Sequence, residues 1–279
     1  MRLLIFAAAL VAISSALAQM PDIGTIVSRV AINQAKSLEE RRNYVYTQKQ
    51  LLRFVRGNGK MAREERREYS VAPAEKGIQK TLAKFEGKYE RKGAFFAYDH
   101  PGYEYKDLDI DGGLINDMSE DMLSDKKGKD GISPDLFPLT GEEQLKYNFR
   151  LVKAETHRGR DVYRVAFEPK PHHGNNPGSW KGEALIDAAE FQPILVTTKL
   201  AWGIPMVVKT LLGTNIKGLG FSVSYEKFAD GVWFPVSYGG EFDVRAVFFY
   251  KRTMAISMVN TDFRRTDVKS DIAYATENK

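Results

Sequence analysis

Leu219-Gly220-Phe221-Ser222-Val223-Ser224-Tyr225-Glu226 is the stretch whose reading decides the fold. Leu219, Phe221, Val223 and Tyr225 alternate with small or polar residues, the period-two pattern of a strand with one buried face. A turn at Ala229-Asp230-Gly231 leads into Val232-Trp233-Phe234-Pro235-Val236-Ser237-Tyr238. After Gly239-Gly240 the alternation resumes at Phe242, Val244, Ala246, Phe248 and Tyr250, and a last run sets Met254, Ile256 and Met258 on one face. Late in the third run the second face turns apolar too, at Val247 and Phe249. Working outward, the whole span from Trp180 to Arg265 reads as long antiparallel strands rich in aromatic residues. A sheet with that much apolar surface must be covered by helices, by a ligand, or by both.

The chain has 279 residues, no cysteine and a net charge of +5. Without cysteine there are no disulfides, thiolate metal sites or cysteine nucleophiles, so stability rests on the core. Residues 1–18 read as a cleavable signal peptide: Arg2, an apolar run from Leu3 to Ile13, and Ala16-Leu17-Ala18. That run is too short to span a bilayer. A soluble periplasmic or secreted protein is expected, with no lipid anchor, because no cysteine stands at the cleavage site. Residues 19–279 then read as one domain. Basic and acidic residues are interspersed, which argues against nucleic-acid binding. The densest run, Arg63-Glu64-Glu65-Arg66-Arg67-Glu68, reads as a solvated strand face.

An amphipathic helix is predicted from about Asp22 to Arg42, with Asp22 as its cap. Its apolar stripe is Ile23, Ile26, Val27, Val30, Ala31 and Leu38, with Gln34 and Arg41 off it. A hairpin follows, turning at Gly57-Asn58-Gly59. Ile78 to Arg91 is readable as strand or helix, and Ala94 to Tyr98 as a short strand. Asp107, Asp109 and Asp111 before Gly112 imitate half a calcium loop, but Met118 stands where the bidentate Glu belongs. The other reading makes Asp111 the cap of a helix from Leu114 to Ser124. A helical insertion is therefore expected near residues 107–130. Hairpins are expected around Arg158-Gly159-Arg160 and around Ala188 to Pro193. Trp202 to Gly218 is apolar but broken by glycine and proline, as either a flap over a pocket or a buried connection.

Motifs for serine hydrolases, zinc peptidases, P-loops and complete dinucleotide-binding turns are missing. His172 and His173 are adjacent in a Pro/Gly-rich loop, and His100 and His157 precede turns; all four read as solvated. No enzyme activity, metal or cofactor is expected. A hydrolase site assembled by the fold would instead require buried, clustered acids or histidines.

Several stretches resemble the outer-membrane lipoprotein-sorting superfamily of LolA/LolB carriers and RseB-like sensors. They are Phe137-Pro138-Leu139 and the hairpin containing Gly159-Arg160-Asp161-Val162-Tyr163 and Phe167-Glu168-Pro169. Further on are Trp180-Lys181-Gly182-Glu183-Ala184-Leu185-Ile186-Asp187 with Pro193-Ile194, and Asp230-Gly231-Val232-Trp233-Phe234-Pro235. The initial helix followed by a long hairpin matches as well. The resemblance implies an α+β, mostly β fold: a curved antiparallel sheet forming an unclosed half-barrel, with helices covering its concave side. It also implies an apolar cavity for an acyl chain or lipidated protein. The expected lining is Tyr44, Tyr46, Leu52, Phe54, Trp180, Trp202, Met206, Phe221, Tyr225, Trp233 and Phe248. The expected roles are lipid or lipoprotein trafficking with transient membrane contact or, alternatively, a sensor or scaffold binding another envelope protein.

Overall fold

The computed structural model describes residues 20–74, 78–106, 109–115, 139–171, 179–202, 215–228, 231–246 and 250–266. Helix α1 (Ile23–Arg41) leads into β1 (Tyr44–Arg56), β2 (Met61–Pro73), β3 (Ile78–Arg91) and β4 (Ala94–Tyr98). A helical segment, α2, covers residues 110–115. Then come α3 (Gly141–Gln144), β5 (Tyr147–His157), β6 (Arg160–Pro169), β7 (Ser179–Asp187) and β8 (Pro193–Trp202). The chain closes with β9 (Asn215–Lys217), β10 (Gly220–Lys227), β11 (Trp233–Ala246) and β12 (Tyr250–Arg265). Ile78 to Arg91 is thus strand. Every pairing is antiparallel.

The strands form one sheet in the order β4-β3-β2-β1-β12-β11-β10-β8-β7-β6-β5, with β9 paired to β11 off that path. β4 and β5 stand at opposite edges and do not pair, so the half-barrel is open as expected. The first and last strands meet inside the sheet, where Tyr44 to Arg56 pairs with Arg265 to Arg252. Tight turns with left-handed residues set the hairpins: Gly59 (φ 80°), Lys92-Gly93 (φ 52° and 85°) and Arg158-Gly159 (φ 50° and 78°).

One face holds the core. Leu52 and Phe54 of β1 join Met254, Ile256 and Met258 of β12, Tyr238 and Phe242 of β11, and Phe221 and Val223 of β10. Val196, Trp180, Ala184, Ile186, Val165 and Phe167 extend the cluster across β8, β7 and β6. Burying one large aliphatic or aromatic side chain contributes roughly 1.5–3 kcal/mol. Ile26 and Val30 of α1 pack into the same cluster. The buried side of α1 then turns polar, contrary to the predicted stripe, because Gln34, Ser37 and Arg41 are also buried. They are hydrogen-bonding hooks rather than packing residues. Gln34 Nε2 donates to Gln192 Oε1 at 2.6 Å, Gln192 Nε2 donates to Ser37 Oγ at 2.9 Å, and Arg41 Nη1 donates to the Trp233 carbonyl at 2.8 Å. Asp22 caps the helix as predicted, accepting from Thr25 N at 3.0 Å.

Gly239-Gly240 does not separate two strands; β11 runs through it. The pair serves close packing instead. A Cβ on Gly240 would stand 2.4 Å from the Gly220 carbonyl oxygen and 2.6 Å from the Phe221 ring. That ring stacks on Tyr238 at 5.3 Å and meets Phe242 at 6.4 Å.

Gly240→Val should therefore destabilise the fold by about 1–3 kcal/mol, as overpacking does. Gly141→Ala, where a Cβ meets nothing within 4 Å, should shift it by less than ~0.5 kcal/mol. Denaturant midpoints at constant slope check both. A pH effect centres on Glu190, whose carboxylate accepts from Trp233 Nε1 at 3.0 Å and Lys227 Nζ at 2.8 Å. Burial pushes this carboxyl up, but those two donors more than offset it and hold it below the usual range. A depressed folded value means stability that is present above the unfolded value of about 4.3 and lost as pH falls through the folded one. Glu190→Gln should therefore flatten the acid limb of the stability curve, read by Trp fluorescence during acid unfolding.

Candidate functional site

The core-side face has two regions. Across β1, β12, β11, β10, β8, β7 and β6 it is apolar. From β1 toward β4 the same face turns polar and stays buried. Arg63, Glu65 and Arg67 of β2 stand opposite Phe54, Leu52 and Gln50 of β1. All three charged residues are buried, Glu65 completely. The run Arg63 to Glu68 is therefore not a solvated face. The cause lies in β2's neighbours, which supply partners on both sides of the sheet. On the core side Arg67 Nε donates to Glu65 Oε2 at 2.8 Å, and the Tyr98 hydroxyl donates to Glu65 Oε1 at 2.8 Å. On the other side Glu64 sits among Arg53, Arg66 and Lys88 at 2.6, 3.2 and 3.2 Å. Burial would raise the Glu64 carboxyl, but Arg53 and Lys88 hold it below the usual range.

Arg63 is the largest of the fully buried side chains. Its guanidinium pairs with Asp109, donates to the Tyr103 carbonyl at 2.8 Å and to the Tyr98 hydroxyl at 3.2 Å, and leaves Nε without a partner. The Tyr98 and Tyr89 rings lie beside it, and they stack in turn on Tyr103 at 5.0 Å, on Tyr105 at 4.8 Å and on Phe96 at 5.5 Å. Gly87 lets the Tyr98 ring lie flat against β3, since a Cβ there would stand 2.2 Å from it. Burial, then the neighbouring Glu65, push the Tyr98 phenol well above its ordinary value.

The acids read as half a calcium loop are placed differently. Asp109, not Asp111, caps α2, accepting from Gly112 N at 3.2 Å while also holding Arg63. Asp111 accepts from Arg252 Nε at 3.0 Å and from the Tyr250 hydroxyl at 2.8 Å. Asp107, Met118 and the predicted helix beyond residue 115 lie outside the described residues. Among the described residues no cluster of three metal-ligating side chains occurs. The buried acids Glu65 and Asp109 are each paired with an arginine.

Next to Gln50 runs a chain of amides. Gln50 Nε2 donates to Gln48 Oε1 at 3.0 Å, Gln48 Nε2 to Asn260 Oδ1 at 3.2 Å, and Asn260 Nδ2 to the Pro235 carbonyl at 2.9 Å. The terminal carbonyl needs a donor, so every amide points one way, and Gln50 Oε1 is left at the far end without a partner.

Among the described residues, two of the clefts bear on ligand binding. A groove of about 850 Å³ lies between the start of α1 (Pro21, Thr25, Arg29) and Ala154, Thr156, Val162 and Tyr163 of β5 and β6. Phe191, in the β7–β8 turn, forms part of its lining, and the Arg29 guanidinium lies 4.6 Å from that ring's centre. The other cleft, about 750 Å³, lies on the sheet's opposite face, over Ser222, Ser224, Ser237, Gly239 and Ser257. Tyr225, Trp233, Arg158, Arg160 and Lys227 complete its lining.

The eleven residues predicted to line a cavity are dispersed. Leu52, Phe54, Trp180 and Phe221 belong to one packed core cluster. Tyr225 packs partly on that cluster and, like Trp233, lines the outer cleft. Tyr44 lies in a separate small cluster with Val232 and Phe234, and Tyr46 stacks on Phe263 at 5.2 Å. Trp202 ends β8, with its side chain outside the description, as are Met206 and Phe248 altogether. The buried charged row and the α1 groove were not anticipated. Gly87 inside a strand was the available signal for the former, since an interior strand glycine marks a close approach.

No protein-family model matches the chain, and no curated protein matches it. Among solved structures it is similar to a domain named for outer-membrane lipoprotein sorting from Vibrio parahaemolyticus (TM-score 0.39, 11% identity, 86% of this chain and 94% of that one). A DUF1329 family protein from Desulfovibrio piger is also similar (0.35, 11%, 88% and 94%). So is a LolA superfamily protein from Nitrosomonas europaea (0.30, 10%, 85% and 96%). At these TM-scores the likeness is one of chain course and says nothing of ligand or partner.

Proposed function

We propose that the protein is an exported, non-enzymatic binder of an apolar ligand, an acyl chain or lipidated molecule, which it carries within the cell envelope. The observation supporting this is the continuity between the α1 groove and the core. Phe191 lines the groove and belongs to the core cluster, and Tyr163 lines the groove and packs against that cluster. A ligand in the groove thus touches the edge of an apolar wall that continues across the half-barrel. The groove's volume lies within the roughly 300–1,000 Å³ usual for small-molecule sites. An acyl chain is held by area alone, at about 0.8 kcal/mol per buried CH₂. Transfer between a membrane and such a wall is nearly neutral, which suits pick-up and release. Among the described residues no helix is long and apolar enough to cross a membrane. The export signal is read from residues 1–18.

A second reading, an envelope scaffold that binds protein, is favoured by edge strand β4, where Phe95 and Phe96 are exposed. An unpaired edge can accept a strand from a partner.

Titration with a fluorescent fatty acid separates the two. Carrier function predicts saturable binding that Ala154→Trp, which fills the groove from an exposed position, weakens at least about tenfold, or ~1.4 kcal/mol, without lowering thermal stability. Absence of binding to the unmodified protein, together with no lipid in native mass spectra, would overturn it. The scaffold reading predicts capture of a stoichiometric protein partner that is insensitive to lipid and lost in Phe95→Lys.

A further inference from the structure

Arg63 draws its counter-charge from outside the sheet. Its own row offers Glu65, but Glu65 is engaged by Arg67 and the Tyr98 hydroxyl. The acid facing Arg63 is Asp109, carried by the segment at 109–115. Its cross-strand neighbours, Phe54 and Tyr89, bring no charge. The sheet's core-side charges here are two arginines and one glutamate, so they sum to +1 until Asp109 is added. A buried cation stripped of its partner is strongly unfavourable. Were Asp109 drawn away, the cation left behind would call for another anion in its place. The means to receive one are present. The guanidinium fork matches the paired oxygens of a carboxylate or phosphate. The rings of Tyr98 and Tyr89, centred 4.9 and 5.6 Å from the guanidinium carbon, hold it in position. Nε is a buried donor still without an acceptor. Leu52 and Phe54 of the packed core stand on β1 directly opposite Glu65 and Arg63, so the ionic site borders the apolar core.

We propose that Arg63 is a receptor for an oxyanion, a carboxylate or phosphate group, and that Asp109 is its resident occupant, which the incoming anion displaces. This place is separate from the α1 groove, and failure of binding there leaves it standing.

The test uses the full mature chain with Asp109→Asn, and with Asp109→Asn combined with Arg63→Met. Thermal unfolding is followed with inorganic phosphate, dodecanoate or uncharged dodecanol, against chloride at equal ionic strength. The expected result is a rise in the midpoint of Asp109→Asn with phosphate or dodecanoate, at least about 3 °C greater than in the unmodified protein. The double variant should lose it, and dodecanol should not produce it. A response to phosphate alone supports a free anion as the ligand; a response confined to dodecanoate supports the head group of an amphiphile. Equal shifts in all three proteins would overturn the proposal. A second measurement, on the unmodified protein, does not depend on the variants folding. Displacing Asp109 should break the hydrogen bond from its N–H to the Lys106 carbonyl, 3.2 Å, and loosen the backbone beside the exposed Lys106, so the effective anion should speed tryptic cleavage there severalfold. An unchanged rate with both anions would overturn the proposal as well.

Discussion

The pairing of β1 with β12 is the constraint on which the rest of the molecule depends. Twelve of the thirteen residues of β1 pair with the last strand, the exception being Tyr46 at a register shift. This seam places the first and last strands side by side within the sheet and leaves β4 and β5 at its opposite edges. A closed barrel would have hidden its edges and filled its interior. An open one keeps a continuous inner face and must find something to cover it. Helix α1 supplies part of that cover. Its attachment is notably polar: it packs through Ile26 and Val30, then holds on through Gln34, Ser37 and Arg41. Hydrogen bonds fix its direction, while the opening beside its first turns leaves the groove against β5 and β6.

The inner face changes character across a single strand boundary. On β1, Leu52 and Phe54 belong to the apolar cluster; on β2, their partners Glu65 and Arg63 are buried ions. Such ions are costly to take out of water and are tolerated only when their partners are well placed. The tyrosines of β3, β4 and the following turn meet that need, with apolar ring faces and hydroxyls for the charges. Placing oily and ionic regions side by side on one wall suits an amphiphile better than a purely apolar guest.

Much of the fold was legible in the sequence, because period-two alternation survives wherever only one face is buried. Met254, Ile256 and Met258 were read correctly for that reason, and so were the turns at Gly57-Asn58-Gly59 and Arg158-Gly159. The misreadings share a cause. On β2 both faces are charged, so alternation carries no signal, and Arg63 to Glu68 looked solvated although partners on β1, β3, β4 and β2 itself, with Asp109, enclose them. Gly239-Gly240 reads as a break when local propensity alone is considered; only the Phe221 ring from β10 explains it. Asp109 and Asp111 were taken together because they are close in sequence, but they serve different partners, Arg63 and Arg252. The groove could not be read at all, since it arises where α1 crosses strands more than a hundred residues away.

The most direct test of an apolar guest on this wall is crystallographic. Crystals grown with a terminally brominated fatty acid would report the ligand by its anomalous signal. The expected peak lies in the α1 groove beside Tyr163 and Phe191, or further along the inner face of the sheet. A signal confined to the outer, serine-lined cleft, or no signal in crystals soaked to saturation, would contradict the carrier reading.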